Sequence, residues 1–239
     1  MKVVILAGGY GTRISEETNF RPKPLIKIGE KPIIWHIMKH YSDYGINEFI
    51  ICCGYKGEMI QEYFKENNEK WDVKTIDTGL ETMTGGRLKK IQKYVNDETF
   101  CVTYGDDLKN INIDELIEFH NKSEKSVTLS AFQPGGRFGL LELHNDNVLK
   151  ISKKIPGDGY WYNGGYYVVE PNIFEYLENE STILEESLNK LATENQVSAY
   201  KYDGPYQPMD TLEDKVIFRT WPGETQYHRS RSLQLFDHY

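Results

Sequence analysis

A buried strand that runs directly into a glycine-rich loop most constrains the fold of this chain. Residues 2–7 form an almost continuous apolar run of strand length, and Gly8, Gly9 and Gly11 follow it at once. Apolar runs of this length are typical of parallel strands that are covered on both faces. Glycines after such a strand let backbone N–H groups approach an oxyanion closely. The junction therefore predicts a phosphate-binding loop at the end of a buried strand.

Strand and helix signals alternate through the first half of the chain. Strands are predicted at residues 2–7, 48–53, 72–77 and 98–105, and helices at 32–44, 58–64, 86–95 and 113–122. Strands that alternate with helices of this length form right-handed crossovers and a mainly parallel sheet. Ligands of such sheets lie beyond the carboxyl ends of the strands, so residues 8–13 and Asp106 should share one rim.

The second half of the chain has a different pattern. Short strands are predicted at residues 127–133, 139–144, 148–152 and 161–169, and the turn clusters between them favour hairpins. Helices at 171–179 and 183–192, a strand at 197–203 and a helix after Asp210 should follow. The expected fold class is therefore α/β, with a Rossmann-like, mainly parallel (mixed) sheet flanked by helices and a portion rich in β-hairpins in the second half.

Charge and cysteine content argue against several classes of protein. The chain has 239 residues and a net charge of −8, which argues against a nucleic-acid partner. Cys52, Cys53 and Cys101 lie in apolar runs, as expected of small buried side chains in a reducing compartment. The first apolar run is too short for an export signal, and no run approaches membrane-spanning length. A cytoplasmic protein without a membrane partner is expected.

Three phosphate-binding designs begin with a glycine-rich loop after a strand. A Walker A loop is excluded, because no lysine followed by Ser or Thr lies at the required spacing after Gly8. A dinucleotide fingerprint fits poorly, because Ile14 occupies the position of its third glycine and the second strand ends without a carboxylate. The third design fits, because Thr12 and Arg13 close the loop with a hydroxyl and a guanidinium that bind oxyanions.

Two further charged residues complete this third design. Lys23 lies between Pro22 and Pro24, neither of which suits a helix interior, so an extended, stiff segment should aim the ammonium at a fixed point. The alternative is a solvated lysine in a proline-rich loop. Asp106 ends a predicted strand on the sheet rim and is a candidate metal ligand, whereas Asp107 is expected to be a turn residue.

Seven motifs together resemble a known family. LAGGYGTR and RPKPL resemble the start of the sugar-1-phosphate nucleotidyltransferases. TMTGGRLKKI, TYGDD, GRFGLLEL, WYNGGYYVVEP and YQPMDTLEDK resemble, in order, the glucose-1-phosphate cytidylyltransferase branch of that family. The resemblance implies transfer of CMP from CTP to a sugar 1-phosphate, either glucose 1-phosphate or a related acceptor, with release of pyrophosphate. It also implies Mg²⁺ as cofactor and a homo-oligomer.

The resemblance assigns roles to individual residues. It implies that Arg13 and Lys23 are catalytic and that Asp106 and Asp210 bind the metal. The nucleotide-binding residues are expected to be Leu6, Ala7, Gly8, Gly9, Gly11, Thr12, Arg13, Lys23, Thr84, Gly85, Gly86, Arg87 and Asp106. The acceptor-binding residues are expected to be Arg137, Phe138, Gly139, Lys154, Asn163 and Gly164. One domain is expected over residues 1–222, with a nucleotide-binding half at 1–122, a sugar-phosphate-binding half at 123–222 and a C-terminal tail at 223–239.

Alternatives remain open at several of these positions. Asp210 could cap a helix instead of binding a metal, and Arg87 could be a surface arginine at the start of a helix instead of donating to cytosine O2. Lys153 stands where the family has a glutamate, which favours either a more anionic or non-glucose acceptor or a surface lysine. The protein could also be a cytidylyltransferase for a non-glucose or non-sugar phosphate, or a catalytically silent sugar-nucleotide-binding regulatory subunit.

Overall fold

A seven-stranded mixed sheet forms the centre of the molecule. The computed structural model describes residues 1–12, 15–66, 69–133, 139–144, 147–153, 161–202 and 206–208. The strands of the central sheet are β1 (Val3–Ala7), β4 (Glu48–Cys53), β5 (Asp72–Asp77), β6 (Phe100–Tyr104), β8 (Val127–Phe132), β11 (Tyr162–Val169) and β12 (Val197–Tyr202). Their spatial order is β12-β8-β11-β6-β1-β4-β5. The β1 strand, which precedes the glycine loop, therefore lies inside the sheet.

Only β11 runs against its neighbours in this sheet. It is antiparallel to both β6 and β8, while the other neighbouring strands pair in parallel. In the register of the sheet, Leu6 lies opposite Cys52 on one side and opposite Tyr104 on the other. The ends of β1, β4 and β6 therefore meet at one edge, and the predicted mainly parallel, mixed sheet is confirmed.

Helices cover both faces of this sheet. They are α1 (Ser15–Thr18), α2 (Ile33–Asp43), α3 (Gly57–Lys65), α4 (Thr84–Val95), α5 (Ile113–Ser123) and α6 (Leu184–Thr193). One core cluster joins alternate β1 residues to the apolar sides of α2 and α5, and a second joins the other β1 residues to α4 and α6. Burial on both faces explains why β1 is apolar throughout.

Within the described residues, three pairs of short strands lie beside the central sheet. They are β2 (Lys27–Ile28) with β3 (Lys31–Pro32), β7 (Asp107–Lys109) with β13 (Tyr206–Pro208), and β9 (Gly139–His144) with β10 (Asn147–Lys153). The β9–β10 hairpin agrees with the sequence prediction. The β7–β13 pair was not predicted. It places Pro208 opposite Asp107, directly after the sheet rim.

Two local predictions are wrong. Residues 171–179 do not form a helix. Instead Pro171–Glu175 is a 3₁₀ turn, which ends where Tyr176 N donates to Ile173 O. The segment around Lys23 is not extended throughout, because Lys23–Leu25 is also a 3₁₀ turn, with Pro24 in its first turn where the missing N–H is harmless. The helix predicted after Asp210 lies outside the described residues. No helix among the described residues is long and apolar enough to span a bilayer.

Candidate active site

A cleft of about 610 Å³ opens at the carboxyl ends of β1 and β6. Its volume is within the range of small-molecule sites. Its walls consist of Leu6, Ala7, Gly8, Gly9, Tyr10, Gly11, Thr12, Lys23, Pro24, Leu80, Glu81, Thr82, Met83, Thr84, Arg87, Tyr104, Gly105, Asp106 and Glu185. Most of the residues predicted to bind the nucleotide therefore line one cavity at the predicted rim.

The glycine loop depends on glycine at two positions. A Cβ atom on Gly8 would lie 2.1 Å from Arg87 Nη1, so a side chain there would displace the buried Arg87 guanidinium. Gly11 has a φ of +66°, and a Cβ atom on it would lie 2.7 Å from Thr18 Cγ2. By contrast, a Cβ atom on Gly9 would meet nothing within 4 Å, so this part of the loop faces open space. The loop therefore presents uncovered backbone to the cleft.

Lys23 and Asp106 form an ion pair in the wall of the cleft. Lys23 is 7% exposed, and its Nζ lies 2.8 Å from Asp106 Oδ2. Asp106 follows β6 through Gly105, whose N–H donates to Leu6 O at 3.0 Å. The parallel pairing of β1 and β6 thus brings together a lysine and an aspartate that are distant in sequence. The alternative of a solvated lysine is wrong.

Arg87 is a buried residue that holds the glycine loop to its neighbours. Its guanidinium donates to the carbonyl oxygens of Gly8 and Cys53, both at 3.1 Å. It also donates to Thr78 Oγ1 and Gly79 O at 2.7 Å and to Leu80 O at 3.2 Å. Burial lowers its pKa from the ordinary value. Arg87 is 5% exposed, so the surface-arginine alternative is wrong, and its hydrogen bonds link three loops around the cleft.

The glycines at the start of α4 face away from the cleft. A Cβ atom on Gly86 would lie 2.4 Å from Glu180 O, and one on Gly85 would lie 2.9 Å from Thr182 O. Gly85 and Gly86 therefore allow α4 to pack against the loop before α6 and are not among the residues that line the cleft. Thr84 does line it, and its Oγ1 accepts from Leu184 N at 2.9 Å.

The sequence prediction omitted two polar side chains at the mouth of the cleft. Tyr10 OH donates to Glu81 Oε1, which joins the glycine loop to the loop before α4. The Tyr10 and Tyr55 rings lie 5.3 Å apart. The proximity of Glu81 raises the Tyr10 pKa. Glu81 directly precedes the TMTGG motif, so extending the motif by one residue would have found it.

Only some of the residues predicted to bind the acceptor lie among the described residues. Arg137, Phe138 and Lys154 lie outside the described residues, while Gly139 begins β9 opposite Lys153 on β10. Asn163 and Gly164 lie on β11, where the pairing with β8 shifts its register between Asn163 and Tyr167.

This register shift orients the Asn163 side chain. Asn163 Nδ2 donates to Tyr167 OH at 2.6 Å, and Asn163 Oδ1 accepts from Gly165 N at 2.9 Å. The Asn163 side chain is exposed, so its remaining hydrogen-bonding capacity faces solvent.

The candidate metal site is likewise only partly described. Among the described residues, no group of three or more His, Cys, Asp or Glu side chains is arranged to hold a metal ion. Asp106 suits a hard divalent cation, because its carboxylate is partly exposed in the cleft beside the glycine loop. Arg13 and Asp210 lie outside the described residues, so their predicted roles stay predictions.

The fold and the site together define a class of protein. The chain is a Rossmann-like α/β protein with a glycine loop, a buried lysine and a partly exposed aspartate around one cleft at the strand ends. The profile of the Nucleotidyl transferase family matches residues 2–210, and the chain belongs to this family. The family membership predicted from the sequence motifs is therefore confirmed.

Similar proteins carry more specific names. The chain is 46% identical to the glucose-1-phosphate cytidylyltransferase of Salmonella typhimurium over an alignment of 240 residues. This alignment covers 90% of this chain and 93% of that protein. The crystal structure of HddC from Yersinia pseudotuberculosis aligns with a TM-score of 0.72 and 26% identity, over 92% of this chain and 98% of that one. A UDP-glucose pyrophosphorylase complexed with UDP-glucose shares the fold, with a TM-score of 0.71 and 18% identity over 96% and 98% of the two chains.

Proposed function

We propose that this protein transfers CMP from CTP to a sugar 1-phosphate, with glucose 1-phosphate as the first candidate, and releases pyrophosphate to form a CDP-sugar. The observation that carries the proposal is the Lys23–Asp106 pair, 2.8 Å apart beside a glycine loop, in a chain 46% identical to a glucose-1-phosphate cytidylyltransferase. The pair supplies one fixed cation for a phosphate and one carboxylate for a metal in the same cleft.

The reaction requires charge neutralisation more than covalent chemistry. A phosphate oxygen of the acceptor forms a new bond to the α-phosphorus of CTP, and the bond from that phosphorus to the pyrophosphate oxygen breaks. Both reactants are anions, so positioning and electrostatic stabilisation provide most of the acceleration. Lys23 would stabilise the charge that develops on the α-phosphate, while Arg13 and the uncovered loop from Gly8 to Thr12 hold the other phosphates.

A divalent cation fits beside this triphosphate, and we propose Mg²⁺. When bound, such an ion would supply positive charge that neutralises the phosphate oxygens. Asp106 would hold it from the rim, and Asp210 is the second proposed ligand. The pairing of β7 with β13 supports this role, because Pro208, two positions before Asp210, lies opposite Asp107, the neighbour of Asp106.

We propose that the base occupies the part of the cleft formed by residues 80–84. Leu80 and Met83 are exposed apolar side chains that can cover a flat ring. Glu81 adds a hydrogen-bond acceptor at the same place, and cytosine carries an amino donor at N4 where uracil and thymine carry an acceptor. A carboxylate there favours CTP over UTP and dTTP.

The acceptor is proposed to bind beside β11. Asn163 offers an oriented carboxamide to sugar hydroxyls, and Gly164 adds no side chain of its own. Arg137, Phe138, Gly139 and Lys154 remain predicted acceptor contacts. Because Lys153 stands where the resemblance implies a glutamate, a related phosphate is the alternative acceptor.

Two wider expectations belong to the same proposal. The described cysteines are all buried free thiols, which agrees with a reducing compartment, and we propose the cytoplasm. We also propose a homo-oligomer, which light scattering on the purified protein would test.

One enzymatic assay tests the proposed activity. Pyrophosphate release should be measured with CTP, UTP, dTTP and GTP against a panel of sugar 1-phosphates in the presence of Mg²⁺. The proposal requires the highest kcat/KM for CTP with one of these acceptors. Turnover with no preference for CTP contradicts the nucleotide assignment. CTP binding without pyrophosphate release from any acceptor supports the regulatory-subunit alternative instead.

A further inference from the structure

The loop between β5 and α4, here called the base loop (residues 78–83), has a buried side and an exposed side. Thr78 and Thr82 are buried, whereas Leu80 and Met83 are exposed and line the cleft. The buried side is attached to the rest of the protein, and the exposed side is where we propose that the base binds. The groups that hold the buried side therefore fix the position of the side chains that meet the base.

The main chain fixes both ends of the base loop. At its start, Thr78 N donates to Cys53 O at 2.9 Å, directly after the pairing of β4 with β5. At its end, Met83 N donates to Glu180 O at 2.9 Å, in the loop before α6. These bonds set where the base loop begins and ends, and the part in between depends on other contacts.

A lysine of α4 reaches this middle part from the buried side. Lys90 is half-buried, and its Nζ donates to Thr78 O at 2.9 Å and to Thr82 Oγ1 at 3.3 Å. Arg87, which binds carbonyl oxygens of the same loop, lies three positions earlier and therefore on the same face of the helix. Two cations on one face of α4 thus hold the base loop.

The base loop turns tightly against the Lys90 ammonium. Gly79 has a φ of +92°, and a Cβ atom on it would lie 2.8 Å from Thr82 Oγ1 and 3.3 Å from Lys90 Nζ. A glycine is therefore required for the turn that brings both threonines to one lysine. Lys90 Nζ also lies 2.9 Å from Glu180 Oε1, but the Glu180 side chain is exposed, and such a pair contributes little. The bonds to the base loop are the ones that matter.

We infer that Lys90 is a positioning residue that sets the base preference of the nucleotide site. Lys90 is not one of the described residues that line the cleft, so it acts on the nucleotide through the base loop. By holding Thr78 and Thr82, it fixes where Glu81 and Met83 lie when a base arrives. The inference rests on the proposed function, because it takes residues 80–84 as the base site.

The cost of losing this contact falls on recognition of the base. Without the ammonium, the middle of the base loop has more conformations available, and the base must order it on binding. The α-phosphate, in contrast, is proposed to meet Lys23 on the other side of the cleft. Loss of Lys90 should therefore change KM and the choice of base, and it should leave kcat for the best nucleotide nearly unchanged.

Steady-state kinetics of Lys90→Met with CTP and UTP, in Mg²⁺ and with the best acceptor, test the inference. Methionine keeps an unbranched side chain of similar length, so the variant should fold. The CTP:UTP ratio of kcat/KM should fall by about 5-fold, near the low end of the cost of a mismatched base contact. The kcat for CTP should stay within about 2-fold of wild type.

Lys89→Met is the matched control. Lys89 is the neighbouring residue on α4, is also half-buried, and donates to Phe174 O at 2.9 Å, outside the base loop. This variant should keep the wild-type ratio. An unchanged ratio in Lys90→Met or an equal loss in Lys89→Met overturns the inference. A lower Tm in Lys90→Met with an unchanged ratio also overturns it, because that result indicates a structural role only.

Amide hydrogen exchange on the unliganded chain tests the contact itself. The Met83 amide, which is bonded to Glu180 O, should exchange about 5-fold faster in Lys90→Met, as for one lost hydrogen bond, and at the wild-type rate in Lys89→Met. Unchanged exchange in Lys90→Met contradicts the inference, because the base loop would then not depend on the ammonium.

Failure of the proposed function gives a different result. If the wild type prefers another triphosphate to CTP, the proposed nucleotide is wrong, and the same comparison with the preferred triphosphate decides the inference. If the wild type prefers CTP and Lys90→Met keeps that preference, the proposed function stands and the inference fails. If the wild type shows no preference among the triphosphates, both proposals fail.

Discussion

The two sides of the cleft are built by different means. On the nucleotide side, main-chain pairing of β1, β4 and β6 places the glycine loop, and the Lys23–Asp106 pair adds the charges. On the acceptor side, the orientation of Asn163 depends on its side-chain hydrogen bonds to Tyr167 OH and Gly165 N and on a register shift in β11. Changes on the nucleotide side should therefore abolish turnover or destabilise the fold, whereas changes on the acceptor side should weaken affinity by smaller steps.

Lys23→Met should have the largest effect on catalysis. It removes a cation from the α-phosphate, and losing one such stabilising group lowers kcat by about 10³-fold. Steady-state kinetics with CTP and the best acceptor measure the change. Lys27→Met is the matched control, because Lys27 is exposed on β2. A kcat within about 10-fold of wild type would exclude Lys23 from the chemical step, since a smaller loss is less than removal of one such group costs.

Arg87→Met tests whether the Arg87 side chain holds the main chain of the nucleotide side in place. It removes all five hydrogen bonds described above for the buried guanidinium, and each such bond contributes about 0.5–1.5 kcal/mol. The carbonyls of Gly8 and Cys53 keep donors in Tyr55 N and Thr78 N, so the loss comes from the bonds themselves. We expect the free energy of unfolding to fall by about 3 kcal/mol or more, measured by urea denaturation. Arg21→Met, at a half-exposed arginine that pairs with Glu17, should change little.

The opposite result of the Arg87 experiment is also informative. If the unfolding free energy is unchanged while CTP affinity falls, the guanidinium contacts the base, as the sequence motif predicted. In that case the nucleotide side would depend on a side chain as much as the acceptor side does.

Local motifs predicted residues that the structure brings together on the nucleotide side, whereas half of the residues predicted for the acceptor side lie outside the described residues. Lys23 and Asp106 were found because each lies in a short motif at a strand end, where an α/β sheet gathers its ligands. Tyr167 was missed, because its hydrogen bond to Asn163 depends on the register shift of β11 against β8. Tyr104 and Glu185 were missed, because they come from two elements that are distant in sequence. Gly85 and Gly86 were assigned to nucleotide binding although they face the loop before α6, since a glycine in a sequence does not reveal what approaches it.

Asn163→Ala tests whether the acceptor side affects substrate affinity more than the chemical step. It removes an oriented carboxamide, and we expect the KM for the acceptor to rise about 10-fold, as for a loss of about 1.4 kcal/mol, while kcat falls less. Asn121→Ala, at an exposed asparagine on α5, is the control. A fall in kcat equal to that of Lys23→Met would show that both sides act on the chemical step, and the distinction between them would be wrong.

Glu81→Gln should have the smallest effect, and it tests the one hydrogen bond to the base that we assign to a side chain. Glutamine can accept from cytosine N4 and also donate to uracil O4, so the preference for CTP over UTP should fall by about 5-fold, near the low end of the cost of a mismatched base contact. Tyr10→Phe removes the same hydrogen bond from its other partner and leaves the carboxylate in place, so it should preserve the preference. If both variants keep the wild-type CTP:UTP ratio, the base is selected by the main chain of residues 80–84. The nucleotide side would then depend on backbone geometry for its specificity as well as for its phosphates.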